Sequence, residues 1–139
     1  MANRSPRLDG ILETVLYCAP ADRAEVERFY SEVLGLARVA RWGDGTSFRV
    51  GPGVLLVFDL EQLADRDDPI ADHGTAGPGH VCLLAAPDDY ERWREHLGAQ
   101  GVEIAHEHEW SEGRRSFYFR DPAGNLLEIA GEDIWPQGR

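Results

Sequence analysis

Three ionisable side chains stand where their neighbours make charge costly. Glu13 interrupts the apolar run Ile11-Leu12-Glu13-Thr14-Val15-Leu16, Glu128 lies within Leu126-Leu127-Glu128-Ile129-Ala130, and His80 opens His80-Val81-Cys82-Leu83-Leu84. A carboxylate in such a run is expensive to bury unless it is paired, hydrogen-bonded or bound to a metal. An isolated strand histidine is by default a satisfied one. Strand alternation puts Tyr17 and Val15 on the Glu13 face and Cys82 on the His80 face, so a phenol and a thiol can border these groups or simply pack there.

A second concentration of chemistry lies in Val102 to Trp110. Read as one strand, it places Val102, Ile104, His106, His108 and Trp110 on one face, and Glu107 and Glu109 on the other. With Val102 and Ile104 inward, His106 and His108 approach a cavity mouth, where they act as general base or substrate contact, or stand as solvated rim residues. Trp110 is an aromatic wall or a core side chain. His73, in Asp72-His73-Gly74, is a lid residue or a solvated loop histidine.

The elements that must hold these residues come in a repeated order. Ile11 to Cys18 reads as a strand, Asp22 to Leu34 as a helix ended by Gly35, and Leu36 to Trp42, Thr46 to Val50 and Val54 to Asp59 as three strands. The sequence after Pro78 repeats this: a strand over 79–85, a helix from Pro87-Asp88 carrying Tyr90, Trp93 and Leu97, then strands over 102–110, 116–120 and 126–130. Local sequence repeats as well. Glu32-Val33-Leu34-Gly35 matches Glu95-His96-Leu97-Gly98, Ser47-Phe48 matches Ser116-Phe117, and Leu55-Leu56 is set against Leu126-Leu127. The expectation is a single domain over 1–139, with a first βαβββ module at about 11–59, a linker at 60–78, a second module at 79–130 and a tail at 131–139.

Composition narrows the function. Acidic residues outnumber basic ones by 25 to 14, and no basic cluster interleaved with aromatics occurs, which argues against nucleic acid. No apolar run is long enough to span a bilayer and the first ten residues lack a signal segment, so a cytoplasmic protein without a membrane partner is expected. The two cysteines, Cys18 and Cys82, read as reduced thiols.

The element order, together with "ERFYSEVLGL", "GPGHVCLL" and "SFYFRDPAGNLLEIA", resembles the vicinal oxygen chelate superfamily of glyoxalase I, extradiol dioxygenases, fosfomycin-inactivating enzymes and bleomycin-binding proteins. The resemblance implies an α+β fold whose two βαβββ modules form a cupped, partly open β-barrel with flanking helices. It also implies one divalent metal ion between modules, held by first and last strands. The first-strand ligand falls on Glu13, with Leu16 three residues on; its counterpart is His80, with Leu83; the last-strand ligand is Glu128 in "GNLLEIA". Aligning Leu55-Leu56 with Leu126-Leu127 puts Val57 at a fourth ligand position, where valine cannot coordinate.

Two carboxylates and an imidazole suit a hard or borderline ion, leaving zinc, nickel, manganese, iron, cobalt and magnesium open, with free coordination positions for an oxygen substrate. The implied function is a metal-dependent glyoxalase- or dioxygenase-like enzyme, more lyase or isomerase than dioxygenase, acting on a small oxygen-bearing molecule by Lewis-acid activation. In it Glu128, His106 and His108 take catalytic roles, while Tyr17, Trp110 and Cys82 contact substrate. The alternative is a non-catalytic antibiotic- or small-molecule-binding protein of the bleomycin-resistance type, for which Trp42, Trp110 and Tyr17 would suit a cationic aromatic ligand. A homodimer is expected, with Ile134-Trp135-Pro136 offering apolar surface.

Overall fold

The computed structural model describes residues 6–64 and 73–135 and sorts their strands into two four-stranded mixed sheets of identical topology. The first sheet holds β1 (Glu13–Cys18), β2 (Arg38–Arg41), β3 (Gly45–Val50) and β4 (Gly53–Asp59) in the order β1-β4-β3-β2. The second holds β5 (His80–Leu84), β6 (His106–Glu109), β7 (Arg115–Arg120) and β8 (Leu126–Ala130) in the order β5-β8-β7-β6. In each, the first strand runs parallel to the last, and the last three pair antiparallel. Neither sheet closes into a barrel. This is the duplicated α+β architecture expected from the repeat.

Helix α1 (Arg23–Arg28) follows β1 and widens into a π turn over Phe29–Val33 before Gly35, at φ 69°, ends it; only glycine adopts that angle cheaply. Helix α3 (Tyr90–Ala99) is its counterpart after β5. The stretch expected to be plain linker begins with a short helix, α2 (Leu60–Ala64), capped by Asp59, whose carboxylate accepts from the backbone N–H groups of Glu61 and Gln62. Residues 65–72 of that linker lie outside the described residues, as do Pro136 and the rest of the tail.

Alternation assigns each strand a helix-covered face and an open one. Leu16, Cys18, Phe48, Leu55 and Val57 of the first sheet share one core with Phe117, Phe119, Leu127 and Ile129 of the second and with Val26, Phe29, Tyr30 and Leu97 from the helices. Each such side chain contributes roughly 1.5–3 kcal/mol by leaving water. The helices of the two halves meet: His96 Nε2 lies 2.8 Å from the Val33 carbonyl, and Phe29 packs on Phe119. The side that the two halves share is therefore the helix-covered one. Their other faces, which carry Glu13 on one sheet and His80 and Cys82 on the other, are left exposed at those residues.

Two expectations are corrected here. Pairing sets Cys82 opposite Glu128 and Val15 opposite Leu56, so the first-half counterpart of Glu128 is Leu56, not Val57. Val57 faces the helices and is 4% exposed. The vacated ligand position is still apolar. Nor is Val102 to Trp110 one strand. Val102 and Ile104 precede β6 and pack on the helix-side core, whereas His106 and His108 belong to the open face, because the irregular backbone before His106 resets the alternation.

The turn Asp121-Pro122-Ala123-Gly124-Asn125 does more than reverse the chain. Asn125 Nδ2 donates to the Tyr17 carbonyl at 3.0 Å, and its Oδ1 accepts from Gly79 N–H at 2.8 Å, which ties β1 to the start of β5. Asp121 accepts from Tyr30 OH at 2.8 Å and from Asn125 Nδ2 at 3.0 Å. Burial and the adjacent Asp121 hold the Tyr30 phenol well above its ordinary pKa, so it stays a donor.

Candidate metal centre

His80 and Glu128 meet on the open face of the second sheet because β5 lies parallel to β8, with His80 opposite Leu126 and Cys82 opposite Glu128. His80 Nδ1 stands 2.9 Å from the Leu126 carbonyl, which can only accept, so Nδ1 carries a proton. Nε2 is then turned to Glu128 Oε1 at 3.2 Å. Either Nε2 bears a second proton or its lone pair faces a carboxylate, and the latter requires a cation between them.

Glu128 is 4% exposed, and its Oε2 is buried with no hydrogen-bond partner among the described residues. Such an orphaned oxygen costs about 1–3 kcal/mol. A divalent ion would remove both anomalies. Imidazole and carboxylate ligands sit about 2.0–2.2 Å from such an ion, which sets two adjacent ligand atoms about 3 Å apart. The backbone carbonyl on the far nitrogen is the usual device for aiming a ligating histidine. His80, nearly half exposed, and buried Glu128 therefore fit a metal.

A cross-strand row passes through Glu128. His106 pairs with Tyr118, Tyr118 with Glu128, and Glu128 with Cys82, all on the open face. The Tyr118 ring lies between His80 and His106 at centroid distances of 6.1 and 6.0 Å, each tilted by 27°. Burial and the charge of Glu128 raise the Tyr118 phenol, partly offset by the Ser116 hydroxyl, so it is a neutral donor near pH 7. Burial and Glu128 push the Cys82 thiol up to about 12, although Cys82 reaches solvent. His108 packs against His106 at 6.0 Å and against Trp110 at 4.4 Å, and Trp110 Nε1 donates to Ser116 Oγ at 2.9 Å.

Tyr17 and His73 lie apart from this row, while Glu13 lines a cleft that reaches the row's end at Cys82. Glu13 is exposed at the start of β1, in a shallow cleft with Val54, Val81 and Cys82. Tyr17 OH bonds His73 Nδ1 at 2.5 Å, and His73 meets Phe58 edge-on, so that histidine is held on the open face of the first sheet. Among the described residues no three His, Cys, Asp or Glu side chains gather as a metal cluster, so Glu13 does not join His80 and Glu128 within the chain. Tyr118 was missed by the sequence reading. Its signal is a polar side chain between the buried Phe117 and Phe119, which alternation sends to the face of Glu128.

Residues 14–129 match the family described as the Glyoxalase/Bleomycin resistance protein/Dioxygenase superfamily. The chain belongs to that superfamily. A curated relative, glutathione transferase FosA of Serratia marcescens, is 31% identical over 114 residues, 82% of this chain and 76% of the relative. The crystal structure of lactoylglutathione lyase from Agrobacterium tumefaciens superposes with a TM-score of 0.85 at 33% identity, covering 95% of this chain and all of the other. A glyoxalase-related enzyme from Fulvimarina pelagi superposes at 0.67 with 25% identity over 94% of each chain. The superfamily's duplicated modules are those built here by β1 to β8. No helix among the described residues is long and apolar enough to cross a membrane.

Proposed function

We propose that this protein is a metal-dependent enzyme, of lyase or isomerase type, acting on a small oxygen-bearing substrate at a divalent ion held by His80, Glu128 and Glu13. The carrying observation is His80 Nε2 turned to Glu128 Oε1 at 3.2 Å beside an orphaned, buried Oε2. The bound ion would supply Lewis-acid polarisation of a substrate carbonyl, hydroxyl or enolate oxygen. Its relatives, a glutathione transferase and a lactoylglutathione lyase, support small-molecule chemistry.

The chain's own residues have distinct tasks. Leu126 O fixes the tautomer of His80. Glu128 brings compensating charge, and Tyr118, one strand away, offers a phenolic proton to substrate oxygen. Cys82 stays a neutral thiol at the edge. His106, His108 and Trp110 stand farther along the face, as substrate contacts rather than ligands. We place the Tyr17–His73 pair on the same footing.

Glu13 reaches the pair from a second copy. The helix-covered sides of both sheets are consumed within one chain, while one open face carries a lone carboxylate and the other a His–Glu pair short of a ligand. A two-fold dimer joining these unlike faces completes two sites at once. Leu12, Ile11 and Leu84, between 72% and 85% exposed, would be covered. The test is metal uptake by chelator-stripped protein. Wild type should regain about one ion per chain and each of Glu13→Gln and Glu128→Gln none. An equal mixture of the two, refolded together, should regain about a quarter ion per chain, since half of random dimers hold one intact site. No uptake by wild type contradicts the metal, and no recovery in the mixture contradicts the shared site. Ligand binding that survives chelation without turnover would instead favour the sequestering protein.

A further inference from the structure

We propose that His106 and His108 form an oxyanion-binding subsite for the far end of the substrate, so that the substrate carries a carboxylate or phosphate beyond its metal-chelating oxygens. The inference rests on the metal site proposed above and adds the substrate's second recognition element.

Charge placement is the first argument. The chain has a formal charge of −11, yet on the open face of β5 to β8 Glu128 is its sole carboxylate, and the divalent ion would balance it together with Glu13 of the partner subunit. The acids of β6 lie on the other side: Glu107 accepts from Tyr90 OH at 2.8 Å and lies 3.6 Å from Arg94 and from Arg115. The open face instead offers imidazole N–H groups from His106 and His108, which donate whether the rings are neutral or charged. An anion repelled by most of this protein is tolerated here.

Ordering is the second argument. Solvated rim histidines move freely, but His106 is stacked on Tyr118, His108 is wedged between His106 and Trp110, and Trp110 is anchored to Ser116. Rings fixed in this way lose little rotamer entropy on binding. Position is the third. His106 lies two strands from Glu128, with Tyr118 between them, a separation of about 10 Å at the usual strand spacing. A substrate chelating the ion at one end would place its other end on the two histidines.

Hydroxamates test this, because they chelate the ion by two oxygens and tolerate any tail. With manganese-loaded protein, suberic acid monohydroxamate should bind about tenfold tighter than its tail methyl ester, the worth of one charge-assisted hydrogen bond. In the His106→Gln/His108→Gln variant that ratio should fall to about one, while acetohydroxamate affinity and manganese content stay unchanged. His108→Glu should invert the preference. Equal binding of acid and ester by wild type, or a ratio that survives the double substitution, overturns the subsite while leaving the metal site intact. Failure to take up manganese overturns both.

Discussion

His80 Nε2 and Glu128 Oε1 face each other at 3.2 Å on neighbouring parallel strands, with His80 Nδ1 already committed to the Leu126 carbonyl. In the proposed site this pair would supply two of the ion's ligands. Its energetics without an ion differ from those of an ordinary ion pair, because Glu128 Oε2 is buried and unbonded among the described residues.

Replacing Glu128 by leucine should therefore stabilise the metal-free protein, or leave it unchanged, by relieving about 1–3 kcal/mol of carboxylate burial, while abolishing metal uptake. Urea unfolding in excess chelator measures the first effect. Destabilisation of similar size would mean that the carboxylate is well satisfied without metal.

Cys82 should react slowly despite its exposure. With its thiol at about 12 rather than near 9, the thiolate fraction at pH 8 is about a thousandfold below that of an ordinary cysteine. Raising pH toward 12 restores the thiolate and with it the rate. Iodoacetamide labelling of metal-free protein, read by mass spectrometry, should show this suppression and partial relief in Glu128→Leu. Fast labelling at pH 8 would contradict it.

Asn125 joins the first strands of the two halves, so Asn125→Ala leaves Gly79 N–H and the Tyr17 carbonyl without partners and should cost about 2–3 kcal/mol. Tyr30→Phe, which removes one donor from an Asp121 that keeps several others, should cost about 1 kcal/mol. Chemical denaturation compares them, and a larger loss in Tyr30→Phe would refute this ranking.

The corrected register makes Leu56 and Val57 unequal. Val57→Glu drives a charge into the shared core and should prevent folding, whereas Leu56→Glu puts it on the open face opposite Val15 and should leave a folded, weakened protein. Circular dichroism and urea unfolding distinguish the two; folded Val57→Glu protein would restore the original alignment.

That register shows where sequence reading stops. Both modules, the succession of their elements along the chain and the last strand, Leu126–Ala130, were legible because hydrophobic alternation and glycine turns repeat in the two halves, whereas the order of strands within each sheet was not. The approach of His80 to Glu128 was legible only through the family resemblance, since residues 48 apart are brought together by a parallel pairing that no local pattern encodes. Val57 was misplaced by aligning identical leucines across turns of different shape. The face of His106 was reached through a strand that does not begin until His106 itself. Tyr118 was overlooked because a tyrosine between phenylalanines reads as core. Asp121 and Asn125 read as turn formers, and their tertiary bonds to Tyr30, Tyr17 and Gly79 come from elements far apart in sequence.

The most direct measurement is an anomalous difference map from crystals grown with manganese. One peak per chain, coordinated by His80 Nε2 and Glu128 with Glu13 of the partner subunit completing the set, is the predicted result. A peak bound elsewhere, or none at a concentration that saturates the protein in solution, would contradict a metal site at His80 and Glu128 completed by Glu13 of the partner subunit.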